Sequence, residues 1–431
     1  MRRALWSLRM PWFGVVISVV SLTIRTFAVL GQPAQRYPDS VGYDSFSFLS
    51  QADRPWPIPF VYSLSGSDTS RVLVQVVAGT VAWFTLAWVL SRTAKWQRTT
   101  FTATMVLGLS PQIIRYDVAI LSESLSITFA VLAIAATLHR SAVRSTAAST
   151  WWAISLTLCV LSRPTHLLIP AICVIPVVWK FLASRGKQLS LAGSGFIALF
   201  MLGVFTVQQS QPTALLNLYT VISGRVITDD QRFDWFVDQG MPNVVGMRQA
   251  NGYDYIEQLP PDVAAIVELP EGQQPPTLMR VGGVELATWL AENGWKTFAK
   301  YLIFHPRDTL HHARLLADPT LNAPNGDFLP LQNGPMLPWA MFGPWQLWTL
   351  IFITSFGFLF ARTNSRKQSL VILSMYAMTS LIYLATVHTS GIEHVRHVAP
   401  YAVVLRILGL SALLMALPRR SLSGTLETID E

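Results

Sequence analysis

The sequence is short of charge and short of cysteine. Charged residues fill 13% of 431 positions, about half the usual globular share, while hydrophobic residues fill 51%. A chain so poor in charge, with apolar runs recurring this regularly, is excluded from the class of two or three soluble domains that its length would otherwise allow. Only two cysteines occur, Cys159 and Cys173, both in or beside apolar runs, which excludes a disulfide framework or a Cys metal cluster outside the membrane. There is no Asn-x-Ser/Thr sequon, no internal repeat and no low-complexity run. No G-x-x-x-x-G-K-[ST] loop is present, and no cytoplasmic stretch is large enough for a nucleotide-sugar domain. No cleavable leader is expected: residues 1–9 are basic, but the apolar stretch after them is long enough to span and has no clear cleavage site.

What is present is a series of apolar runs near 12–31, 72–90, 101–114, 120–138, 151–161, 167–181, 191–207, 345–360, 370–387 and 401–417. A spanning helix needs about 20 mainly apolar residues, so these predict an all-α polytopic membrane protein with about ten transmembrane helices. Alternate connections carry Arg2, Arg3 and Arg9; Arg92, Lys95 and Arg98; Arg140 and Arg144; Lys180, Arg185 and Lys187; Arg362, Arg366 and Lys367; Arg419 and Arg420. Between spans these connections hold no Asp or Glu; the acids Glu427, Asp430 and Glu431 are confined to the tail. The positive-inside rule therefore places both termini in the cytoplasm of a multi-pass inner (plasma) membrane protein. The net charge of +8 then needs no nucleic-acid partner, since these cations set orientation and meet anionic lipid.

The organisation that follows is an N-terminal transmembrane module (1–207), an extracytoplasmic segment (208–344), and C-terminal transmembrane helices with a short tail (345–431). Four outer segments matter. The first loop, 32–71, contains PDSVGYDSF at 38–46 and a proline-rich piece at 54–59, and is expected to form a short helix along the interface. The second is the bend Arg115-Tyr116-Asp117 leading into LSESL at 121–125. The third is the mixed 208–344 segment, with helical pieces expected near 213–222, 230–239 and 284–315 between Pro/Gly/Asn-rich turns. The fourth is HTSGIEHVRHVAP at 388–400.

This topology puts Asp39, Asp44, Asp117, Glu123, Arg163, Glu393, His394, Arg396 and His397 near one membrane face. Charges within or beside spans are costly and tend to be functional or paired. Glu123 is set among mostly apolar residues, where a lone carboxylate costs several kcal/mol or shifts its pKa. An ion pair with Arg115 or Arg163 is the structural alternative. Glu393 and His397 are four apart, and His394 and His397 three apart, so each pair shares a helix face. Two histidines do not make a metal site. Arg25 and Arg406 lie inside spans, with structure, orientation and headgroup contact all open.

The order of PDSVGYDSF, SPQIIRYDVAILSESLSITFAVL, LSRPTHLLIPA and EHVRHVAPY resembles the GT-C superfamily of polyprenyl-phosphate-dependent glycosyltransferases, in particular the bacterial branch similar to dolichyl-phosphate-mannose-protein mannosyltransferases. The resemblance covers the spans up to about residue 207 and from 345 onward, and reaches the outer segment only through pieces such as YLIFHPRDTL. The motifs are short, and their order and shared sidedness carry the specificity. Protein mannosyltransferases have Asp-Glu in the first loop, where this chain has Asp39-Ser40, which counts against protein Ser/Thr as the acceptor though not against the chemistry.

The resemblance implies transfer of a sugar, with inversion, from a polyprenyl phosphate to an acceptor hydroxyl of a glycan, lipid or protein on the extracytoplasmic side. It implies Asp39 as the base that takes the acceptor proton, with Asp44 as the alternative. Glu123 resembles the family's second acidic position, and Tyr43 positions the loop. Arg396 with His394 and His397, or else Arg163, would hold the lipid phosphate. The resemblance fixes no cofactor, and a divalent cation at Asp39, Asp117 and Glu123 is left open. The 208–344 segment either covers the catalytic face and selects the acceptor or is a packing cap. Two readings compete: a lipid-linked sugar flippase or transporter, and a non-catalytic GT-C-like protein. Many transporters show repeated halves and charges near the midplane; here no repeated halves are seen and the key charges gather at one face.

Overall fold

A computed structural model describes residues 11–35, 49, 56–94, 96–143, 145–183, 191–209, 217–244, 247–248, 283–322, 329, 331–332, 334, 337–362, 366–391 and 394–417. Among these all regular structure is helical, with no strand and one isolated parallel bridge between Gln35 and Ala119. Five helices are long and apolar enough to cross a membrane: Trp12–Leu30, Asp68–Arg92, Glu123–Ala142, Gln368–Thr389 and His394–Ala416. Four shorter apolar helices cover Thr146–Leu161, Pro164–Ile175, Gly195–Val204 and Trp345–Ala361.

The elements run α1 (Pro11–Leu30), α2 (Pro57–Ser63), α3 (Asp68–Thr93), α4 (Gln97–Gly108), α5 (Pro111–Ile114), α6 (Glu123–Ala142), α7 (Thr146–Leu161), α8 (Leu168–Ala183) and α9 (Leu191–Gln209). They continue with α10 (Asp230–Asp238), α11 (Gly283–Trp289), α12 (Trp295–Phe304), α13 (Pro306–Leu321), α14 (Trp345–Ala361), α15 (Arg366–Thr389) and α16 (His394–Ala416). Local chemistry sets several starts. Ser67 caps α3 in a reciprocal pair with Ser70, Ser145 caps α7 through Ala148 N–H, and Asp229 caps α10 through Arg232 N–H. Proline opens α2, α5 and α13, where its missing N–H costs nothing.

Three sequence expectations are corrected here. The run 101–114 is not one helix: α4 stops at Gly108, Ser110 is extended (ψ 137°), and α5 restarts at Pro111. Proline removes a donor and disfavours helical geometry in the residue before it, so the apolar pattern alone overstated the run. The piece 284–315 is likewise broken, by a π-helical turn at Leu290–Gly294 and again at His305 before Pro306. Much of the expected link 388–400 belongs to helices, because α15 runs to Thr389 and α16 begins at His394 and carries Pro400 inside it.

The core is a bundle in which α3 packs on α4 and α6, α6 on α7, and α16 on α14, α15, α13 and α6. In α1, Trp12, Val15, Val16, Val19, Val20, Ile24, Phe27 and Leu30 face outward, an apolar surface that suits lipid rather than water. A second cluster, with Tyr219, Phe233, Phe236, Leu290, Phe298 and Tyr301 at its centre, lies wholly within the 208–344 segment. Its regular elements are helical, and the π-helical turn at Ile222–Val226 meets α15, where Arg225 contacts His388. Gly391 makes that approach feasible: a Cβ there would lie 2.2 Å from the Thr220 backbone carbon.

Candidate functional site

The turn between α5 and α6 is held from several directions. Gln35 accepts from Ile120 N–H at 3.0 Å and donates to the Val118 carbonyl at 2.9 Å, which ties the start of the first outer loop to this turn. Gln75 of α3 donates to the carbonyls of Asp117 and Ala119 at 3.1 and 3.0 Å. Tyr62 of α2 donates to the Leu121 carbonyl at 2.5 Å and lies 3.1 Å from the Gln75 amide oxygen. Burial, then the nearby charges of Glu123 and Asp117, push the Tyr62 phenol well above its ordinary pKa, so it remains a donor.

Within this frame stand two buried carboxylates. Asp117 has no exposure; it accepts from Arg25 of α1 at 2.5 Å and from Ser124 at 2.5 Å. Arg25 therefore serves structure: it crosses from α1 to the α5–α6 turn, and Gly79 of α3 gives its guanidinium room. A Cβ at Gly79 would lie 2.4 Å from an Arg25 terminal nitrogen.

Glu123 is the first residue of α6, where the helix dipole favours a carboxylate. It is 1% exposed and accepts a short hydrogen bond from Arg163, while Arg396 Nε lies 3.4 Å from the same oxygen. Of the two partners sequence reasoning left open, Arg163 is the one found, joined by Arg396; Arg115 instead donates to the Pro111 carbonyl at 3.3 Å. Arg163 also donates to the His397 carbonyl at 2.7 Å and to Ser122 Oγ at 3.3 Å, bridging α6 to the first turn of α16. Arg396 lies 3.2 Å from His397 Nε2. A guanidinium only donates, so Nε2 accepts, and Nδ1–H is left to donate to Ser390 Oγ.

The arrangement leaves two guanidiniums against one buried carboxylate. The second Glu123 oxygen, Oε2, is buried with no hydrogen-bond partner. This is a buried acceptor in a dry setting, which is costly unless a donor pairs with it. Asp117 and Glu123 each face a guanidinium, which does not fit the pair to a shared divalent cation. Among the described residues no three His, Cys, Asp or Glu side chains gather as a metal site.

Of the sequence candidates, the structure brings together Glu123, Arg163, Arg396 and His397, with Asp117 close by in chain and paired elsewhere. His394 and His397 start the same helix but have different partners, for His394 acts electrically on His312 and His388. Asp39, Tyr43, Asp44 and Glu393 lie outside the described residues. Sequence reasoning missed Tyr62, Gln75, Arg225, His312 and His388. A lone amide or imidazole in an apolar run, as for Gln75 and His388, was the available signal.

Arg406 is wholly buried in α16 and donates to the carbonyls of Phe342, Gly343 and Ala402 at 2.7, 2.8 and 2.8 Å. Its guanidinium also sits 3.7 Å from the Phe342 ring centroid, so it fastens the end of the outer segment to the last helix. Comparison with family models, with curated proteins and with solved structures returns no match for this chain.

Proposed function

We propose that the chain is an inverting membrane glycosyltransferase that moves a sugar from a polyprenyl-phosphate donor to an acceptor hydroxyl on the extracytoplasmic side. The observation that carries this reading is Glu123, buried between Arg163 and Arg396 with one oxygen unpartnered, beside the turn to which the first outer loop is tied. That loop holds Asp39 four residues after Gln35, and the order of motifs from Asp39 to Arg396 resembles the GT-C superfamily. In this reading Asp39 takes the acceptor proton and Glu123 orients the acceptor or the base through its free oxygen. The guanidiniums of Arg163 and Arg396 stabilise the negative charge that develops on the leaving phosphate. The sugar–oxygen bond to phosphate breaks as the acceptor oxygen bonds to the anomeric carbon, with the proton passing to the carboxylate.

The topology proposed with it is ten spans with both termini cytoplasmic, the shorter apolar helices and α4 completing the five long ones. A donor with an isoprenoid tail then enters sideways from lipid while the acceptor arrives from water, and the 208–344 segment covers the meeting place. The test is transfer of radiolabelled sugar from a panel of polyprenyl-phosphate sugars, with native membrane extract supplying acceptors. Wild type transfers; Asp39→Asn and Glu123→Gln, folded normally, lose transfer by about 100-fold or more. Wild type that transfers from no donor sinks the proposal. The burial of Asp117 and Glu123 against arginines favours one second reading, a non-catalytic GT-C-like protein, for which a vesicle assay showing no translocation of lipid-linked sugar would also set the flippase aside.

A further inference from the structure

We infer that Arg225, His388 and His312 form a second anion site, between the outer segment and the α15–α16 link, whose ligand is a phosphate group. The site does not depend on sugar transfer and uses none of the Glu123, Arg163 or Arg396 side chains. Its centre is Arg225 in the π-helical turn Ile222–Val226, 4% exposed, which donates a short hydrogen bond from Nη1 to His388 Nδ1. Because the guanidinium can only donate, Nδ1 of His388 is unprotonated, and the proton of the neutral ring sits on Nε2.

That Nε2 is buried and has no partner, and Arg225 Nε is buried and has no partner. Two buried N–H donors from neighbouring residues, both without an acceptor, are rare in folded proteins unless an acceptor binds there. The charge count agrees. Arg225 and Arg232 face one carboxylate, Asp308, at 3.5 and 2.9 Å. His312 stacks on His388 with ring centroids 5.8 Å apart, and His394 adds a third imidazole.

The frame is built rather than loose. Arg232 donates to the Arg225 carbonyl and to Asp308 at 2.9 Å each, Thr228 donates to the same carbonyl at 3.0 Å, and Tyr301 donates to Asp308 at 3.0 Å. The ring of Phe298 lies 5.6 Å from the Arg225 guanidinium and covers one side. A tetrahedral oxyanion suits this set, since it accepts from several donors at diverging angles and is matched by guanidinium. His394 and Arg396 are two residues apart on α16, about 200° around the helix, so this site and the Glu123 group lie on different sides of its first turn.

His312 gives the site a proton linkage. Burial, then Arg225, His394 and Arg232, lower its pKa to about 4, with Asp308 opposing. The groups facing it are Arg225 from the π-helical turn, Arg232 from α10, Asp308 from its own helix, His388 from α15 and His394 from α16. An added anion raises that pKa, so binding favours uptake of a proton by His312.

The experiment measures binding of inorganic phosphate, and of a short-chain polyprenyl phosphate, to the full chain in phosphatidylcholine nanodiscs. His388→Asn is the informative variant, because its amide oxygen keeps an acceptor for Arg225 while the Nε2 donor is lost. We expect about tenfold weaker binding for His388→Asn and Arg225→Gln. Wild type is tested independently by diethylpyrocarbonate labelling of His312, which phosphate protects. Weakening with inorganic phosphate supports a free phosphate site; weakening only with the polyprenyl form supports the same chemistry delivered by a lipid. Unchanged affinity for both ligands in both variants, or no protection of His312 by either ligand, overturns the assignment.

Discussion

The Arg25–Asp117 pair makes the sharpest test of how the bundle is held. Asp117 has no exposure and Arg25 3%, with 2.5 Å between them, so neither charge has water to fall back on. Breaking a buried pair from one side costs about 3–5 kcal/mol, because the other charge stays buried without its counterion. Arg25→Met and Asp117→Asn should therefore each be destabilising by that order. At roughly 2 °C per kcal/mol for a large chain, each lowers the apparent melting point by about 6–10 °C. The double variant removes both charges and keeps the amide acceptor for Ser124, so it should recover to within about 2 kcal/mol of wild type. The assay is thermal unfolding in one detergent, followed by loss of the monodisperse peak in size-exclusion chromatography. A double variant as unstable as the sum of the singles, or singles that melt with wild type, would refute the argument.

Other outcomes follow from neighbouring features. Gly79→Ala ought to gain about 1 kcal/mol of helix propensity but should destabilise instead, since the new methyl occupies the Arg25 guanidinium's space; the same melting assay reads the sign. Arg406→Lys keeps the charge and three donors but puts them on one nitrogen, which cannot reach the three carbonyls that Nε, Nη1 and Nη2 reach separately, and a loss of about 3 kcal/mol is expected, seen as earlier melting and faster proteolysis near Phe342. His312 has its folded pKa held near 4, below its ordinary 6.5, so the unfolded chain binds more protons between those values. Its contribution to stability is complete above about pH 6.5 and lost as pH falls toward 4, so limited proteolysis of the outer segment should speed up over that window and slow in His312→Phe.

Much of the architecture was readable from the apolar runs, because a spanning helix needs a minimum apolar length and the chain repeats it. The breaks were harder to see. Ser110-Pro111 was in plain sight, yet hydropathy averages over the proline that ends α4. The π-helical turns at Ile222–Val226 and Leu290–Gly294 leave no compositional trace. Pairings failed for a different reason. Glu123 could be flagged as a charge in an apolar setting, but its two partners sit 40 and 273 residues away, and only packing selects Arg163 over Arg115. Arg25 was visible as a cation within a span, while the carboxylate that neutralises it belongs to a turn 92 residues on. Arg225 escaped attention because its segment gave only loose pattern, and its role depends on His388 from the far side of the chain.

The placement of α16 has a consequence for how the protein is made. Of its window, 94% is buried, more than in any of the other four long apolar helices, and it packs on α3, α4, α5, α6, α13, α14 and α15. All of these precede it in the chain, so the ribosome releases every wall of the slot before the helix that fills it. Until α16 arrives, Glu123 lacks Arg396, Arg163 lacks the His397 carbonyl, and Phe342 and Gly343 lack Arg406. The nascent bundle must therefore wait in the bilayer with its polar interior unclosed, exposed to the membrane's insertion and surveillance machinery. A truncation that leaves earlier helices intact would yield a chain that inserts but never seals, and its fate would be set by membrane proteases rather than by its own melting temperature.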